Sequence, residues 1–548
     1  MASSWSWRHA WLLPALLWWG LAGAQPVPVP LGTHAVPPPV TMAPPFDLEA
    51  ARADDLARAH DGKIPLYGRF LPVFASPHAT GRWDDGPGEG RTWRQEVRSP
   101  GAMALELFFV DVHLPDGAAL FVHTPDGALV LGPYSAADVT PEGRLSTTLL
   151  PGDAAIIIYH EPHAVLGQGR LVLERIAHAY ALTDAERAAN CQVDVNCSEG
   201  EGWEAQRDAV VRIRVVTGAG TGWCTGTLMN NTARDCTPYI LSAMHCTEES
   251  SPGHFPEFQF RFNFQRSACG SGSSPIQVLT GCTRVTDSND GGGELGSDFV
   301  LLRLYQRVPS DFHAFYAGWD ATNNAASGGV GIHHAGGNEK RISTCTTPLT
   351  TTAWWLGSGS HWLVYWSGTE NGHGVTEPGS SGSPFFNPAG RVVGTLTGGN
   401  SCCTLNGCGA ATGPDQPDKY GKMSYHWTNN PNSSSQKLRN FLSPGPNVPV
   451  FDGAYEPCAE VGVPERPVRR AVLLPNPTFG PLEVRLDGAP LGEAWLRVVD
   501  AAGRQVHHEA LQGRDRVRMD GTTWGAGLYV LLLDEAGHRT VLGRVSVL

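Results

Sequence analysis

All twelve cysteines of this 548-residue chain lie between Cys191 and Cys458. The flanks on either side carry none, so the molecule reads as a cysteine-bearing body between two cysteine-free segments. The first 24 residues say what the cysteines are for. Arg8 near the start, an apolar run from Ala10 to Leu21 and Ala22-Gly23-Ala24 before Gln25 read as a secretory signal. Export leads to an oxidising compartment, where cysteines are better read as disulfides than as metal ligands. The paired C-x-x-C spacing of a zinc site is absent. The apolar run is too short for a stable membrane span, and no later stretch qualifies.

A length prior of about 150 residues per domain predicts three or four units. Residues 25 to about 45 are proline-rich and read as an extended linker. Phe46 to Ala59 has the spacing of a short amphipathic helix with Asp47 near its start. From Arg91 to Glu174 the runs Ala104 to Val110, Ala119 to Val122, Ala128 to Leu131 and Ala155 to Tyr159 read as strands, separated by Asp116-Gly117, Asp126-Gly127 and Gly152-Asp153. Residues 25–189 are therefore expected to form a β-rich propeptide. From 190 to 452, short β-runs, glycines and cysteines suit two packed β-barrels, ending in a helix over Ser434 to Leu442. Residues 453–470 read as a charged linker. Beyond it, Leu482 to Leu486, Ala494 to Val499, Arg504 to His507 and Gly527 to Leu533 predict a small β-sandwich over 471–548. The fold class is all-β.

The chemistry concentrates at Gly379-Ser380-Ser381-Gly382-Ser383-Pro384, a serine in a glycine-lined turn. A serine hydroxyl is a poor nucleophile near neutral pH and needs an imidazole base oriented by a carboxylate. His245, in Leu241-Ser242-Ala243-Met244-His245-Cys246, and Asp298, in Gly296-Ser297-Asp298-Phe299-Val300, supply both. The order His, Asp, Ser is one of the three known chain orders for this constellation. The backbone N–H groups of Gly379 and Ser381 are expected to form an oxyanion hole, in which a lost donor raises the barrier by roughly 2.7–4 kcal/mol. No cofactor and no metal is expected. His333-His334 and His160-Glu161-Pro162-His163 lack the H-E-x-x-H spacing, and Asp287, Asp290 and Glu294 lack that of an EF-hand and read as a solvated loop. The formal net charge of −13, without a basic stripe, argues against a nucleic-acid partner.

Over residues 190 to 452 the chain resembles the secreted bacterial lysyl endopeptidases of the trypsin-fold superfamily. The matching stretches are Cys191 to Cys197, Cys224 to Leu228, the His245 and Asp298 motifs, Ile332-His333-His334, Glu339 to Ser343, and Val375-Thr376-Glu377-Pro378 running into the Ser381 motif. The resemblance implies a trypsin-like double barrel, protein or peptide substrates, and a mature monomer. It implies disulfides from Cys224 to Cys246, from Cys197 to Cys269, and from Cys191 to Cys402 or Cys403. The pairing of Cys236, Cys282, Cys345, Cys408 and Cys458 stays open. Pro475 to Gly480 and Gly527-Leu528-Tyr529 resemble the C-terminal sorting domain of the type IX secretion system, which implies that machinery as a partner and a secreted or surface-attached product.

Trypsin's pocket aspartate position is occupied here by Val375, which binds no cation. By resemblance the acidic residue is Asp418, with Asp415 as the competing assignment, and Trp354 stands where the family has an aromatic beside the pocket. Thr397 stands where the lysyl enzymes have a histidine. By strand position, the Thr397 to Gly399 backbone is expected to pair with extended substrate. An acidic pocket alone does not separate lysine from arginine. No lysine lies between Lys63 and Cys191, so release of an N-terminus near Ala188 requires either an outside protease at Arg187 or acceptance of arginine.

Overall fold

The computed structural model describes residues 36–548 except 61, 87–89, 182–190, 274, 276, 406–408, 459–470, 487–493, 501–502 and 536–537. The signal sequence, the start of the proline-rich stretch, the Arg187 junction, Cys408 and residues 461–470 therefore lie outside the described residues. The chain divides into two compact units, Met1–Cys458 and Ala459–Leu548.

The N-terminal domain carries helix α1 (Leu48–His60) and strands β1 (Leu66–Ala75), β2 (Gly90–Arg98), β3 (Ala104–His113), β4 (Ala119–His123), β5 (Ala154–Glu161) and β6 (Arg170–Ala179). In one sheet β5 lies between β2 and β4, and in the other β6 lies between β1 and β3. Trp93, Leu107, Phe109, Ile157 and Leu173 form the core.

The next strands are β7 (Val210–Val216), β8 (Gly220–Met229), β9 (Tyr239–Ser242), β10 (Gln259–Phe262), β11 (Gln277–Thr280), β12 (Cys282–Asp287) and β13 (Val300–Leu304). Antiparallel pairing runs β11-β10-β7-β8-β9-β13-β12. Only Gly281 separates β11 from β12, so the sheet closes on itself as a barrel. A second set repeats the order: β14 (Gly329–His333), β15 (Arg341–Cys345), β16 (His361–Val364), β17 (Pro384–Phe386), β18 (Val392–Gly399) and β19 (Asp418–Lys422) pair as β15-β14-β17-β18-β19-β16. A bond from the Ser367 N–H to the Thr344 carbonyl joins the two ends.

Strand alternation explains how the barrels meet. On β13, Val300, Leu302 and Leu304 fill the first barrel, while Leu301 and Phe299, just before the strand, turn outward. They pack with Met229, Leu241, Ile332 and Phe386 in the seam between the barrels. A run apolar on both faces is what such a double burial requires.

The second unit contains β20 (Ala471–Leu474), β21 (Pro481–Leu486), β22 (Ala494–Asp500), β23 (Gln505–Ala510), β24 (Arg516–Asp520), β25 (Gly527–Glu535) and β26 (His538–Val547). They form sheets β20-β21-β24 and β23-β22-β25-β26, with Leu482, Val484, Leu496, Val498 and Leu531 in one core.

Disulfides Cys197–Cys269 and Cys224–Cys246 are present. Cys191 pairs with Cys403, not with Cys402, whose sulfur is engaged in another disulfide. Cys403 packs in the same apolar cluster as Cys191, with Trp362 and Val364, whereas Cys402 lies outside it. Cys236 pairs with Cys458, and Cys282 and Cys345 are buried free thiols. Residues 453–458, read as the start of a linker, belong to the first unit: Ala454 and Tyr455 pair with Tyr316 and Phe315, and Cys458 is bonded to the barrel.

Candidate active site

The 3₁₀ turn Met244–Thr247 follows β9 directly and presents His245, and the Cys224–Cys246 disulfide ties that turn to β8. The two Asp298 carboxylate oxygens both serve His245. Oδ2 accepts from the ring Nδ1 at 2.7 Å and Oδ1 from the backbone N–H at 2.9 Å. A carboxylate acceptor fixes the proton on Nδ1 and leaves Nε2 with its lone pair outward. Burial disfavours the imidazolium, but the Asp298 charge and hydrogen bond outweigh it and hold His245 above its ordinary value. Burial likewise works against the Asp298 charge, yet the charge and hydrogen bonds of His245 keep that carboxyl below its usual range.

Asp298 adopts a left-handed backbone, φ 60°, a conformation that needs outside support in a non-glycine residue. Asp290 provides it. Read from sequence as part of a solvated loop, Asp290 is in fact buried. Its carboxylate accepts the N–H groups of Ser297 (2.6 Å), Asp298 (3.1 Å) and Gly293 (3.0 Å) and the Ser288 hydroxyl (2.6 Å).

The serine turn is held by its carbonyls. Pro378 O accepts from Gly336 N–H, Gly379 O from the Thr225 hydroxyl, Ser380 O from Ser383 N–H and Ser381 O from Thr225 N–H. With those oxygens fixed, the N–H groups of Gly379 and Ser381 donate to no protein acceptor among the described residues. Gly379 and Gly382 have φ of 93° and 80°, and a side chain on either would strike neighbouring backbone, so glycine is needed at both. Ser380 gains a partner that sequence reasoning missed. Its hydroxyl meets Nδ1 of buried His333 at 2.8 Å, and His333 Nε2 meets the Ser343 hydroxyl at 2.9 Å. Burial, then the Arg341 charge, pushes His333 down to about 3, so it acts as a neutral bridge.

Gly293 sits where three expected site residues converge. A Cβ there would lie 3.0 Å from Asp298, 3.4 Å from Thr397 and 3.5 Å from Trp354. Although Thr397 replaces the histidine of the resembled family, an imidazole still arrives from β16, on the far side of β19, with His361 Nε2 3.0 Å from the Thr397 hydroxyl. Burial holds His361 down to about 4.

Asp418 opens β19, opposite Gly399 of β18, and is fully buried. Its Oδ2 accepts from Trp366 Nε1 (2.6 Å), the Thr376 hydroxyl (2.7 Å) and the Ser401 hydroxyl (2.6 Å), whereas Oδ1, among the described residues, takes the Ser401 N–H alone, at 3.2 Å. Burial pushes its carboxyl up, and these donors draw it part of the way back. Oδ1 faces Gly399, where any Cβ would collide with it. Asp415 instead points outward, with its side chain 90% exposed and 3.5 Å from His373. Val375 is core.

Two closed β-barrels with a histidine–carboxylate pair and a carbonyl-clamped serine turn have the architecture of a serine peptidase, and sequence similarity to a known family and to a curated relative supports that class. Residues 185–421 match the family described as lysyl endopeptidase, C-terminal domain. The chain is 27% identical to a lysyl endopeptidase of Pseudomonas aeruginosa over 349 residues, 59% of this chain and 71% of that protein. Solved structures that resemble it include the thermostable serine protease AL20, at 15% identity and a TM-score of 0.30, spanning 40% of this chain and 93% of that one. Another is protease Anisep from Arthrobacter nicotinovorans, at 12% identity and a TM-score of 0.29, spanning 39% of this chain and 90% of that one. Among the described residues no helix is long and apolar enough to cross a membrane.

Proposed function

We propose that this chain is a secreted serine endopeptidase that hydrolyses peptide bonds on the carboxyl side of lysine. The observation that carries this reading is the serine turn, whose four tied carbonyls leave the Gly379 and Ser381 N–H groups unclaimed, with Ser381 O 3.8 Å from the sulfur of Cys246, the residue next to His245. In this reading His245 Nε2 takes the Ser381 proton as the hydroxyl attacks the scissile carbonyl, and the oxyanion settles on the two N–H groups. The protonated imidazole then passes its proton to the leaving amine, and water releases the acyl group by the same path.

Lysine is favoured over arginine by the state of Asp418. With Oδ2 saturated, one oxygen is left for a cation, which suits a compact ammonium better than a forked guanidinium. A neutral side chain would leave that buried carboxylate without a counter-charge, which gives discrimination. The Arg187 junction favours a second reading, a broader Lys/Arg peptidase able to release itself. Residues 25–189 act as a propeptide and 471–548 as a type IX sorting domain in either case, and the disulfides fit an exported product.

The test is kcat/KM of the processed enzyme on matched peptides with lysine or arginine before the scissile bond, with Ser381→Ala as control and a fluorophosphonate probe for Ser381. A lysine preference of about a hundredfold supports the first reading, and comparable rates support the second. Asp418→Asn is expected to lower the lysyl rate at least about tenfold without lowering active-site titration. An unchanged rate removes Asp418 from the pocket, and no labelling of Ser381 removes the peptidase.

A further inference from the structure

The face of β7 and β8 that turns away from the first barrel's core carries an unusual set of side chains. Cross-strand register places Arg212 opposite Thr225 and Arg214 opposite Trp223, and on the other flank of β7, Arg212 opposite Arg261. Residues two apart on a strand share a face, so Thr225, Trp223, Arg212, Arg214 and Arg261 form one strip. Its first member is the clamp of the serine turn.

The direction of the strip follows from how that turn is held. Ser381 O accepts from Thr225 N–H on β8, while Gly382 N–H donates to Leu396 O on β18. The turn is thus bracketed by the two strands. A peptide whose acyl half lies along β18 toward Asp418 leaves across β8, over Trp223. At about 3.3 Å per extended residue and 4.8 Å between strands, Trp223 lies within reach of the first or second residue beyond the bond, and Arg214 of the second or third.

The strip is cationic, with Glu339 of the barrel lining the same cavity, and part of its hydrogen bonding comes from the N-terminal domain. Arg212 donates to Gly337 O at 2.7 Å and Arg214 to Glu257 O, whereas Arg214 also donates to Thr147 O at 2.7 Å and to the Ser146 hydroxyl at 2.5 Å. The Arg212 guanidinium lies 4.0 Å from the Trp223 ring centre and 4.2 Å from that of Phe264, with Arg261 3.9 Å from Phe264. The Nε atoms of Arg212, Arg214 and Arg261 are buried without a hydrogen-bond partner among the described residues. What covers them is the N-terminal domain, and it does so with an acid and an aromatic ring. Glu106 accepts from Arg214 at 3.2 Å and from the Tyr67 hydroxyl at 3.0 Å, and the Tyr67 ring stacks on Trp223 at 4.2 Å. Pro65, Leu66 and Tyr67 line a crevice with Pro378 and Gly379, at the oxyanion turn itself. A cavity of about 370 Å³ remains between Glu106 and the arginines.

We propose that this strip, once the N-terminal domain has left, is the subsite for the leaving half of the substrate and selects peptides bearing an acidic side chain at the second or third residue after the scissile bond. It rests on the peptidase reading above, with Glu106 showing the chemistry the site accepts.

The test uses enzyme processed from the full chain and lysyl peptides that differ only in Asp, Ala or Lys at those two positions. The expected result is kcat/KM in the order Asp over Ala over Lys, with the Asp to Lys ratio on the order of fivefold or more and shrinking as salt rises. Arg214→Gln and, separately, Arg261→Gln are expected to bring that ratio toward one. The ratio is internal to each preparation and does not depend on how much protein folds. Equal rates for the three peptides, or a ratio untouched in both variants, overturn the proposal. Cleavage of none of them indicts the peptidase reading instead. In that event, calorimetry of the Asp and Lys peptides with processed Ser381→Ala protein decides the subsite, with tighter binding of the Asp peptide supporting it and equal binding ending it.

Discussion

At the residue scale, the pair His245–Asp298 makes a prediction with a definite sign. A general base works deprotonated, so activity rises as pH passes upward through its pKa. Because Asp298 holds His245 above its ordinary value, the acid limb of kcat/KM is expected above pH ~6.5. In Asp298→Asn the limb is expected to move down and the rate to fall by about 10⁴-fold. A pH–rate series on both proteins measures this. Lys340 gives a second prediction. It is fully buried with its ammonium donating to Arg207 O, and burial pulls it down to about 7, with Asp208 opposing. Between that value and the unfolded ~10.4 the unfolded chain holds a proton that the native state lacks, so this group's contribution makes stability rise with pH across that window. Lys340→Met is expected to remove that slope, up to about 1.4 kcal/mol per pH unit, which denaturant unfolding from pH 7 to 10 would detect. All three residues stood inside motifs quotable from the sequence. The supporting roles of Asp290, Thr225 and His333 did not stand out, although all three lie in stretches read above, because each acts on a group its own motif does not contain. Asp290 even sits in a Gly-rich run that locally reads as a wet loop.

At the element scale, strands with compact or alternating apolar runs were legible whether one face is buried, as in Pro481–Leu486, or both, as in Ala104–His113. The runs at 104–110, 119–122, 155–159, 482–486 and 527–533 each fall within an observed strand. Strand β1 was missed because Leu66–Ala75 has no clean alternation. It pairs with β6 on one side and with β8 of the barrel on the other, at Gly220, Thr221 and Gly222. The helix expected over Ser434 to Leu442 is split into a 3₁₀ turn, Ser434–Gln436, and a single α-turn, Arg439–Leu442. Lys437 takes an extended backbone between them while its ammonium reaches back to Asn430 O, and Leu438 and Leu442 still reach the core. The Cys236–Cys458 disulfide spans 222 residues, and no sequence argument paired it. The double variant Cys236→Ser/Cys458→Ser is expected to lose about 2–4 kcal/mol in denaturant unfolding, with the candidate site unchanged in active-site titration.

At the scale of the whole molecule, the cysteine distribution marked the body and its flanks, but not that the N-terminal domain and the first barrel share a sheet. That union is made by three residue pairs and by charges far apart in sequence. Glu257 of the barrel meets Arg144 at 2.7 Å and also Arg175, while Arg58 of α1 meets Glu249, four residues past His245. Such pairs carry no local signature. The C-terminal unit begins immediately after Cys458, and the bond at that residue has a mechanical meaning. Tension applied through the tail, as when a chain is drawn through a pore or held at a surface, enters the body at Cys458 and passes by covalent linkage to Cys236. The strand pairs at Val450–Phe451 and Ala454–Tyr455 lie before that anchor in the chain, so the covalent path shields them from the pull.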